Sequence, residues 1–253
     1  MDLGLTDRVY VVTAASGGLG RAVAAELVGE GARVVLVARR AAVLEGAVAD
    51  LGGDNAVFLA ADLAEPHTAR TASALALETY GRLDGALISV GGPPAASVRA
   101  TTEDQWRGAF ESVFLAGLRV SKAVLDAGTA ADLAIGWVLS TSVKSPVSGL
   151  AASNGLRPGL AVLIKQLADE VGPQGTRVVG LMPGRIDTER VRHLDSLADD
   201  PAAARVAAEA AIPLRRSGTP QEFARVAAFV LSPAASYLTG CVIPVEGGVL
   251  RAL

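Results

Sequence analysis

Cysteine is all but missing from this chain: Cys241 is the only one in 253 residues, so no intrachain disulfide can form. No apolar run is long enough to span a bilayer, and the opening residues MDLGLTDR lack the charged-then-apolar pattern of a secretory leader. A basic stripe or tail is missing too. The formal charge is -3 at pH 7, which argues against nucleic acid or a membrane surface as partner and leaves a small molecule. Linkers, low-complexity tracts and internal repeats are not found, so residues 1–253 read as one domain, expected in the cytoplasm. What the chain does hold is apolar mass: 51% of its residues are hydrophobic, with alanine and valine abundant, enough for a large core.

The organising stretch runs from Arg8 to Glu30. An apolar, β-branched run (RVYVVT) leads into AASGGLG and then the helical pattern RAVAAELVGEG. A strand feeding a glycine turn and a helix can cradle a pyrophosphate, because Gly17, Gly18 and Gly20 let the backbone come close and the helix start presents free N–H groups. The run GARVVLVARR next suits a strand buried on both faces. It ends in Ala38, Arg39 and Arg40. With no carboxylate there for a ribose 2′-hydroxyl and arginine available for a 2′-phosphate, NADP(H) is favoured over NAD(H), and Arg39 is the expected contact. Arg40 is either a second ligand or a solvated residue opening the following helix.

Alternation continues to the end: a helix from about Ala41 to Leu51, the strand AVFLAAD closing on Asp62 and Leu63, a helix from Glu65 to Tyr80, and the strand LDGALISV running into Gly91–Pro94. A long helical pattern follows from Thr102 to Ala127, with Trp106, at helical spacing with Phe110, read as core. Then come LAIGWVLS, another helix, TRVVGLMPG, an alanine-rich insert at about 188–212, the helix QEFARVAAFVLS and the strand CVIPVEGG. Seven strands alternating with helices imply an α/β fold, a parallel sheet with helices on both faces and ligands beyond the carboxyl ends of the strands.

Read together, these segments resemble the short-chain dehydrogenase/reductase family over essentially the whole chain. TAASGGLG, Thr13 to Gly20, is similar to the family's TGxxxGxG loop. Asp62 with Leu63 matches its adenine-contacting position, GRLDGALISVGG its fourth strand and following turn, PGRIDT at Pro183–Thr188 its nicotinamide-carboxamide segment, and YLTGCVIPVEGG its last strand. The resemblance implies a single doubly wound Rossmann domain. Its cofactor contacts are then expected at Thr13, Ser16, Gly18, Leu19, Gly20, Arg39, Asp62, Leu63, Gly91, Pro183, Gly184, Ile186 and Thr188. It also implies a homo-oligomer, tetramer or dimer, built on the two long central helices, and an insert that covers the substrate.

The chain departs from the family where chemistry is done. The first loop glycine is Ala14, and the Asn-Asn-Ala-Gly turn reads Ile88-Ser89-Val90-Gly91. Aligning on Trp106 and Phe110 puts the family's active-site Asn at Val113. Its Ser falls at Ser142, and its Tyr and Lys fall at Ser153 and Arg157. A subset of similar sequences, labelled oxidoreductases or 3-oxoacyl-carrier-protein reductase-like, carries Gly-Gly-Pro-Pro after the fourth strand and Ser-Asn-x-x-Arg for Tyr-x-x-x-Lys, as Gly91–Pro94 and Ser153–Arg157 do here. Reducing a ketone needs a proton for the developing alkoxide. A lowered tyrosine serves near neutral pH; a serine hydroxyl is far less acidic, and arginine stays protonated. Ser153 and Arg157 share a helix face at i, i+4. Pro158 lets the helix begin near Asn154 or at Pro158 itself, with Ser153 at or before its end.

The catalytic candidates are therefore Ser142, Ser153 and Arg157, with Lys144, Ser145, Asp187 and His193 as other groups near the site. No metal ligand set is expected. Two functions compete: an NADP(H)-dependent oxidoreductase acting on a small carbonyl or alcohol with an altered proton donor, and a cofactor-binding sensor or partner subunit without turnover. Non-redox chemistry of the halohydrin dehalogenase kind is disfavoured, because those relatives keep the Tyr and lose the glycine loop.

Overall fold

The computed structural model describes residues 1–251. Seven parallel strands form one sheet in the order β3-β2-β1-β4-β5-β6-β7: β1 Val9–Thr13, β2 Arg33–Ala38, β3 Ala56–Ala60, β4 Gly85–Ile88, β5 Ala134–Val138, β6 Arg177–Pro183 and β7 Cys241–Val245. The expected alternation with helices is observed: α1 Gly18–Gly29, α2 Ala41–Asp50, α3 Thr68–Tyr80, α4 Glu103–Ala109, α5 Ala116–Ala127, α6 Ala151–Val171, α7 Glu189–Asp195, α8 Pro201–Ala210 and α9 Pro220–Leu231. No helix among the described residues is long and apolar enough to cross a membrane.

The strands are apolar throughout because both faces are covered, and their two-residue period divides the core. Tyr10, Val12, Val34 and Leu36 pack with Val23 and Leu27 of α1 and Phe223 and Ala227 of α9. Val9, Val11, Val35 and Val37 point the other way, onto Ala72 of α3, Val120 and Val124 of α5 and Leu160 and Ile164 of α6. Each such side chain contributes roughly 1.5–3 kcal/mol by leaving water. A slip of one residue would exchange the two sets, so the register, Val9 beside Arg33 through Thr13 beside Val37, is fixed by burial. The chain reverses direction across the sheet between β1 and β4, which are neighbours in space. This is the switch point where ligands of open α/β sheets sit.

Several boundaries differ from the sequence reading for identifiable reasons. Residues 62–67 form turns held by Asp62, whose Oδ1 accepts from Ala64 N at 3.0 Å and whose carbonyl accepts from Thr68 Oγ1 at 2.7 Å, so α3 starts at Thr68. The long central helix is capped by Thr102 and Gln105 but widens into a π turn over Phe110–Leu115 before α5. Helix α6 begins at Ala151, which places Ser153 in its first turn, and it runs through Pro158. Phe110 is 42% exposed and stacks on Phe114 at 5.0 Å between ring centres. Trp106 is half-buried, its ring lying where a Cβ on Gly155 of α6 would be.

Two buried charges anchor the end of the sheet away from the ligand edge. Arg177 donates to the carbonyls of Val230, Leu231 and Ser232 at 2.7, 3.3 and 2.8 Å, closing the C-terminal end of α9. Asp84, fully buried, accepts from Arg82 Nε and Nη2 at 2.8 and 2.6 Å and from Val9 N at 2.8 Å. Replacing Asp84 by Ala orphans the Val9 amide and strips Arg82 of its partner. Asp84→Ala is therefore expected to lower unfolding free energy by about 3 kcal/mol in urea titration; an unchanged midpoint would remove this carboxylate from the list of anchors.

Candidate active site

The carboxyl ends of the strands open into one cleft of about 410 Å³. Its near wall is the glycine turn: Ala14, Ser16, Gly17, Gly18, Leu19 and Gly20. Gly20 is required there, since a Cβ would stand 2.7 Å from Ala14 O and 2.8 Å from Thr13 O. Gly17 is the N-cap of α1 with no side-chain cap, and a Cβ on it would meet nothing within 4 Å, so there is open space beside the start of α1, where a helix leaves its first amides without intrahelical partners. Backbone, helix start and room together suit a pyrophosphate, so the fold's nucleotide cofactor fits this end. Ala14 carries a cost: its φ of 50° lies in the left-handed region, where a Cβ crowds the following carbonyl.

Thr13 does not line the cleft. It is fully buried behind the glycine turn, where its hydroxyl donates to Ser89 O at 2.5 Å and accepts from Ser89 N at 2.9 Å. That exchange ties the end of β1 to the turn after β4, whose Ser89, Val90, Gly91 and Gly92 form the next part of the wall. The arginines at the end of β2 divide differently from the expectation. Arg40, not Arg39, lines the cleft, and its Nη2 reaches Ser16 Oγ at 3.4 Å. Asp62 is exposed and Leu63 packs into the core beside α3; neither lines the cleft.

The far wall is built from β5, β6, α6 and α7: Val138, Leu139, Arg157, Pro183, Gly184, Ile186, Thr188, Glu189, Arg190 and Val191. Thr188 caps α7 through Val191 N and rests its methyl beside Gly18. Ser142 and Ser153, both buried, meet at 3.2 Å between their hydroxyl oxygens, so the two candidates are brought together in spite of the short loop between them. They stand behind the wall. Arg157, 6% exposed, is the member that reaches it. Its Nη1 donates to Val138 O at 2.8 Å and Leu139 O at 3.2 Å, and it has no carboxylate partner among the described residues. Burial first, and then the neighbouring Arg190, pull its pKa down to about 10, which still leaves it a cation at neutral pH.

The other proposed acids stand apart. Asp187 pairs with Arg192 at 3.0 Å, and that bond and the nearby arginines hold its carboxyl below the usual range. His193 and Lys144 are exposed and lie off the cleft wall. None of the three tyrosines lines the cleft, and Val113 is wholly buried in the π turn. No cluster able to hold a metal exists among the described residues.

Two contributors were not singled out from sequence. Asn154 pins the loop over Ser142: its Oδ1 accepts from Val147 N at 3.0 Å and its Nδ2 donates to Val147 O at 2.9 Å. The asparagine of the Ser-Asn-x-x-Arg pattern was the available signal. Arg190 donates from Nη2 to Pro93 O at 2.7 Å, and nothing in its own segment marks it.

The sequence profile of the family described as enoyl-(acyl carrier protein) reductase matches residues 13–250. An uncharacterized oxidoreductase of Methylorubrum extorquens is 33% identical over 254 residues, covering 97% of this chain and 98% of that one. Among solved structures, the L-sorbose reductase of Gluconobacter frateurii complexed with NADPH and L-sorbose is similar with a TM-score of 0.94 at 26% identity, covering 100% of both chains. A Brucella melitensis protein described as short-chain dehydrogenase/reductase SDR, glucose/ribitol dehydrogenase, reaches 0.92 at 29% identity, again over 100% of both.

Exchanging Ala14 for Gly relieves about 1–2 kcal/mol of left-handed strain and returns about 0.4–1 kcal/mol of unfolded-chain freedom. The balance for Ala14→Gly is a gain of roughly 0.5–1 kcal/mol by thermal unfolding, whereas Gly20→Ala is expected to cost about 2 kcal/mol through overlap with the turn backbone. A second expectation concerns the N-cap of α9, where Thr219 and Glu222 form a capping box. Glu222 pairs with Arg216 at 2.6 Å and accepts from Thr219 N, which together bring its carboxyl from 4.5 to about 2. A carboxyl lowered on folding stabilises fully above its unfolded pKa and loses that contribution as pH falls through the folded one. The cap contact should therefore hold at pH 4.5 and release towards pH 2; carboxyl NMR of Glu222 titrating with an ordinary midpoint would contradict it.

Proposed function

Because the chain belongs to the short-chain dehydrogenase/reductase family, we propose that it is an NADP(H)-dependent oxidoreductase of a small carbonyl or alcohol, working with an arginine-centred site in place of the family's Asn, Tyr and Lys. The observation that carries this reading is the continuity of one cleft from the open amides of α1 to the buried guanidinium of Arg157. The glycine turn and α1 hold the pyrophosphate, Arg40 with Ser16 takes the 2′-phosphate, and Pro183, Gly184, Ile186 and Thr188 hold the nicotinamide end. When bound, the cofactor supplies or accepts a hydride at the substrate carbon.

The protein's own work in reduction is to meet the charge that develops on the carbonyl oxygen. Arg157 does so with its other N–H groups, the guanidinium being held by the two bonds from Nη1 to the Val138 and Leu139 carbonyls, an electrostatic contribution that needs no proton transfer from the arginine. The Ser142–Ser153 pair holds α6 against the loop behind that guanidinium and supplies a hydroxyl near it. No group on the wall is a tyrosine or histidine, so a water in the open cleft delivers the proton to the alkoxide. The same observation favours the second reading, a cofactor-binding subunit without turnover. As a working assembly we take a homo-oligomer of this chain on the α4–α6 face, where Phe110 is 42% and Val162 69% exposed.

Fluorescence titration with NADPH and NADH, followed by a ketone panel, tests the reading. NADPH is expected to bind more tightly than NADH, and Arg40→Ala to weaken NADPH about 10-fold while leaving NADH unchanged, the loss of one charged hydrogen bond. Arg157→Met is expected to lower kcat by about 100-fold or more with NADPH affinity little altered. Tight NADPH binding with no oxidation by any carbonyl would decide for the silent subunit.

A further inference from the structure

Most arginines of the insert and its flanks are paired with a carboxylate; Arg190 and Arg215 are the exceptions among the described residues. Arg185 meets Asp195, Arg192 and Arg205 both meet Asp187, and Arg216 meets Glu222. Arg190 has no carboxylate among the described residues; its recorded partner is the neutral carbonyl of Pro93. Arg157 is in the same condition, a buried guanidinium on two neutral carbonyls. Both line one cleft, whose wall carries three cations, Arg40, Arg157 and Arg190, against a single carboxylate, Glu189.

The Gly-Gly-Pro-Pro turn is shaped to keep Arg190 there. A Cβ on Gly92 would lie 3.0 Å from Arg190 Nε and 3.3 Å from its Cζ and Nη2, so a side chain at this position would push the guanidinium off the turn. Pro93 then supplies the carbonyl that fixes its edge at 2.7 Å. Such a seat holds a second cation toward Arg157, a like charge that lowers the stability of each charged form. Neutral carbonyls orient guanidinium groups but bring no opposite charge. An oxyanion between the two turns the repulsion into charge-assisted hydrogen bonds, and the planar fork of arginine fits a carboxylate with two of them.

We infer that the substrate is an oxo acid or hydroxy acid whose carboxylate is held between Arg190 and Arg157, with Arg157 sharing its remaining N–H groups between that carboxylate and the oxo oxygen. This rests on the oxidoreductase reading of the same cleft and adds the substrate class to it. The cofactor phosphates are the other anions that reach the cleft, and position separates them. The glycine turn follows β1, whereas Arg157 is tied to the end of β5, two strands further along the sheet, and Arg190 to the turn after β4.

The test uses the full chain saturated with NADP+, titrated calorimetrically with 2-oxobutanoate and 4-oxopentanoate and with the methyl ester of each. At least one acid is expected to bind about 10-fold or more tightly than its ester, the effect of one charged contact. Arg190→Gln should abolish that preference and Arg190→Lys should retain part of it, both with an unchanged NADPH affinity and melting temperature. Equal binding of acids and esters, or no binding of either acid, overturns the inference while leaving an NADPH-binding oxidoreductase in place. Weaker NADPH binding in Arg190→Gln also overturns it and makes Arg190 a cofactor ligand. Failure of the wild-type chain to bind NADPH takes down the oxidoreductase reading and this inference together.

Discussion

A guanidinium enclosed beneath the ends of a parallel sheet has to be met by dipoles, and most of the far half of the cleft follows from how Arg157 satisfies that demand. Its two acceptors are the carbonyls of Val138 and Leu139, the last of β5 and the first beyond it. Those carbonyls are available because the chain leaves the sheet there and turns toward Ser142. The turn is held in place by Ser140 accepting from Ser142 N and by the contact between the Ser142 and Ser153 hydroxyls. Asn154, next in α6, reaches back to Val147 and closes the loop. Strand end, loop and helix start thus form one hydrogen-bonded unit around a single charge. Removing the charge leaves its carbonyl acceptors short of a donor.

The near half answers to a different constraint, the closeness of backbone to backbone. Gly20 leaves no room for a Cβ above the carbonyls of Thr13 and Ala14. The Thr13 hydroxyl bonds both the carbonyl and the N–H of Ser89, which holds the residue in place. The turn is therefore rigid on its buried side and bare on its cleft side. Ala14 is tolerated in a left-handed conformation because its neighbours hold it there, with the strain absorbed by the bonds of residue 13. Charge governs one half of the cleft and steric contact the other, and the β4 turn, with Ser89 bonded to Thr13 and Pro93 bonded to Arg190, touches both.

How much of this was legible in the sequence depends on whether a local pattern decides the outcome. Seven apolar runs separated by helical periods determine a parallel sheet, since both faces must be covered, and the observed strand order agrees. The glycine turn was legible for the same reason: spacing and backbone freedom are local properties. Side-chain destinations were harder. Arg39 and Arg40 are adjacent and chemically alike, and no local pattern says which of the two lines the cleft, as Arg40 does. Phe110 lies one helical turn from Trp106 and is 42% exposed, which the spacing alone does not reveal. Pro158 suggested a helix start because a proline removes one bond; the remaining bonds of a 21-residue helix, packed through Leu160 and Ile164, outweigh that loss. Arg190 was hidden because its partner lies about a hundred residues away in sequence, on a turn whose glycines give no sign of what they make room for.

The π turn also acts as a phase corrector. On a regular helix each residue turns about 100°, so rings eight positions apart would diverge by about 80° after two full turns. Trp106 and Phe114 are such a pair, yet both rings come to rest on α6, the first over Gly155 and the second over Gly159. A turn that takes up more residues per revolution brings them back to one side, and the two glycines, one helical turn apart, are the sockets that receive them. The widening at Phe110–Leu115 thereby sets the rotational alignment of the whole central helix against α6, and through α6 the angle at which Ser153 and Arg157 approach the strand ends.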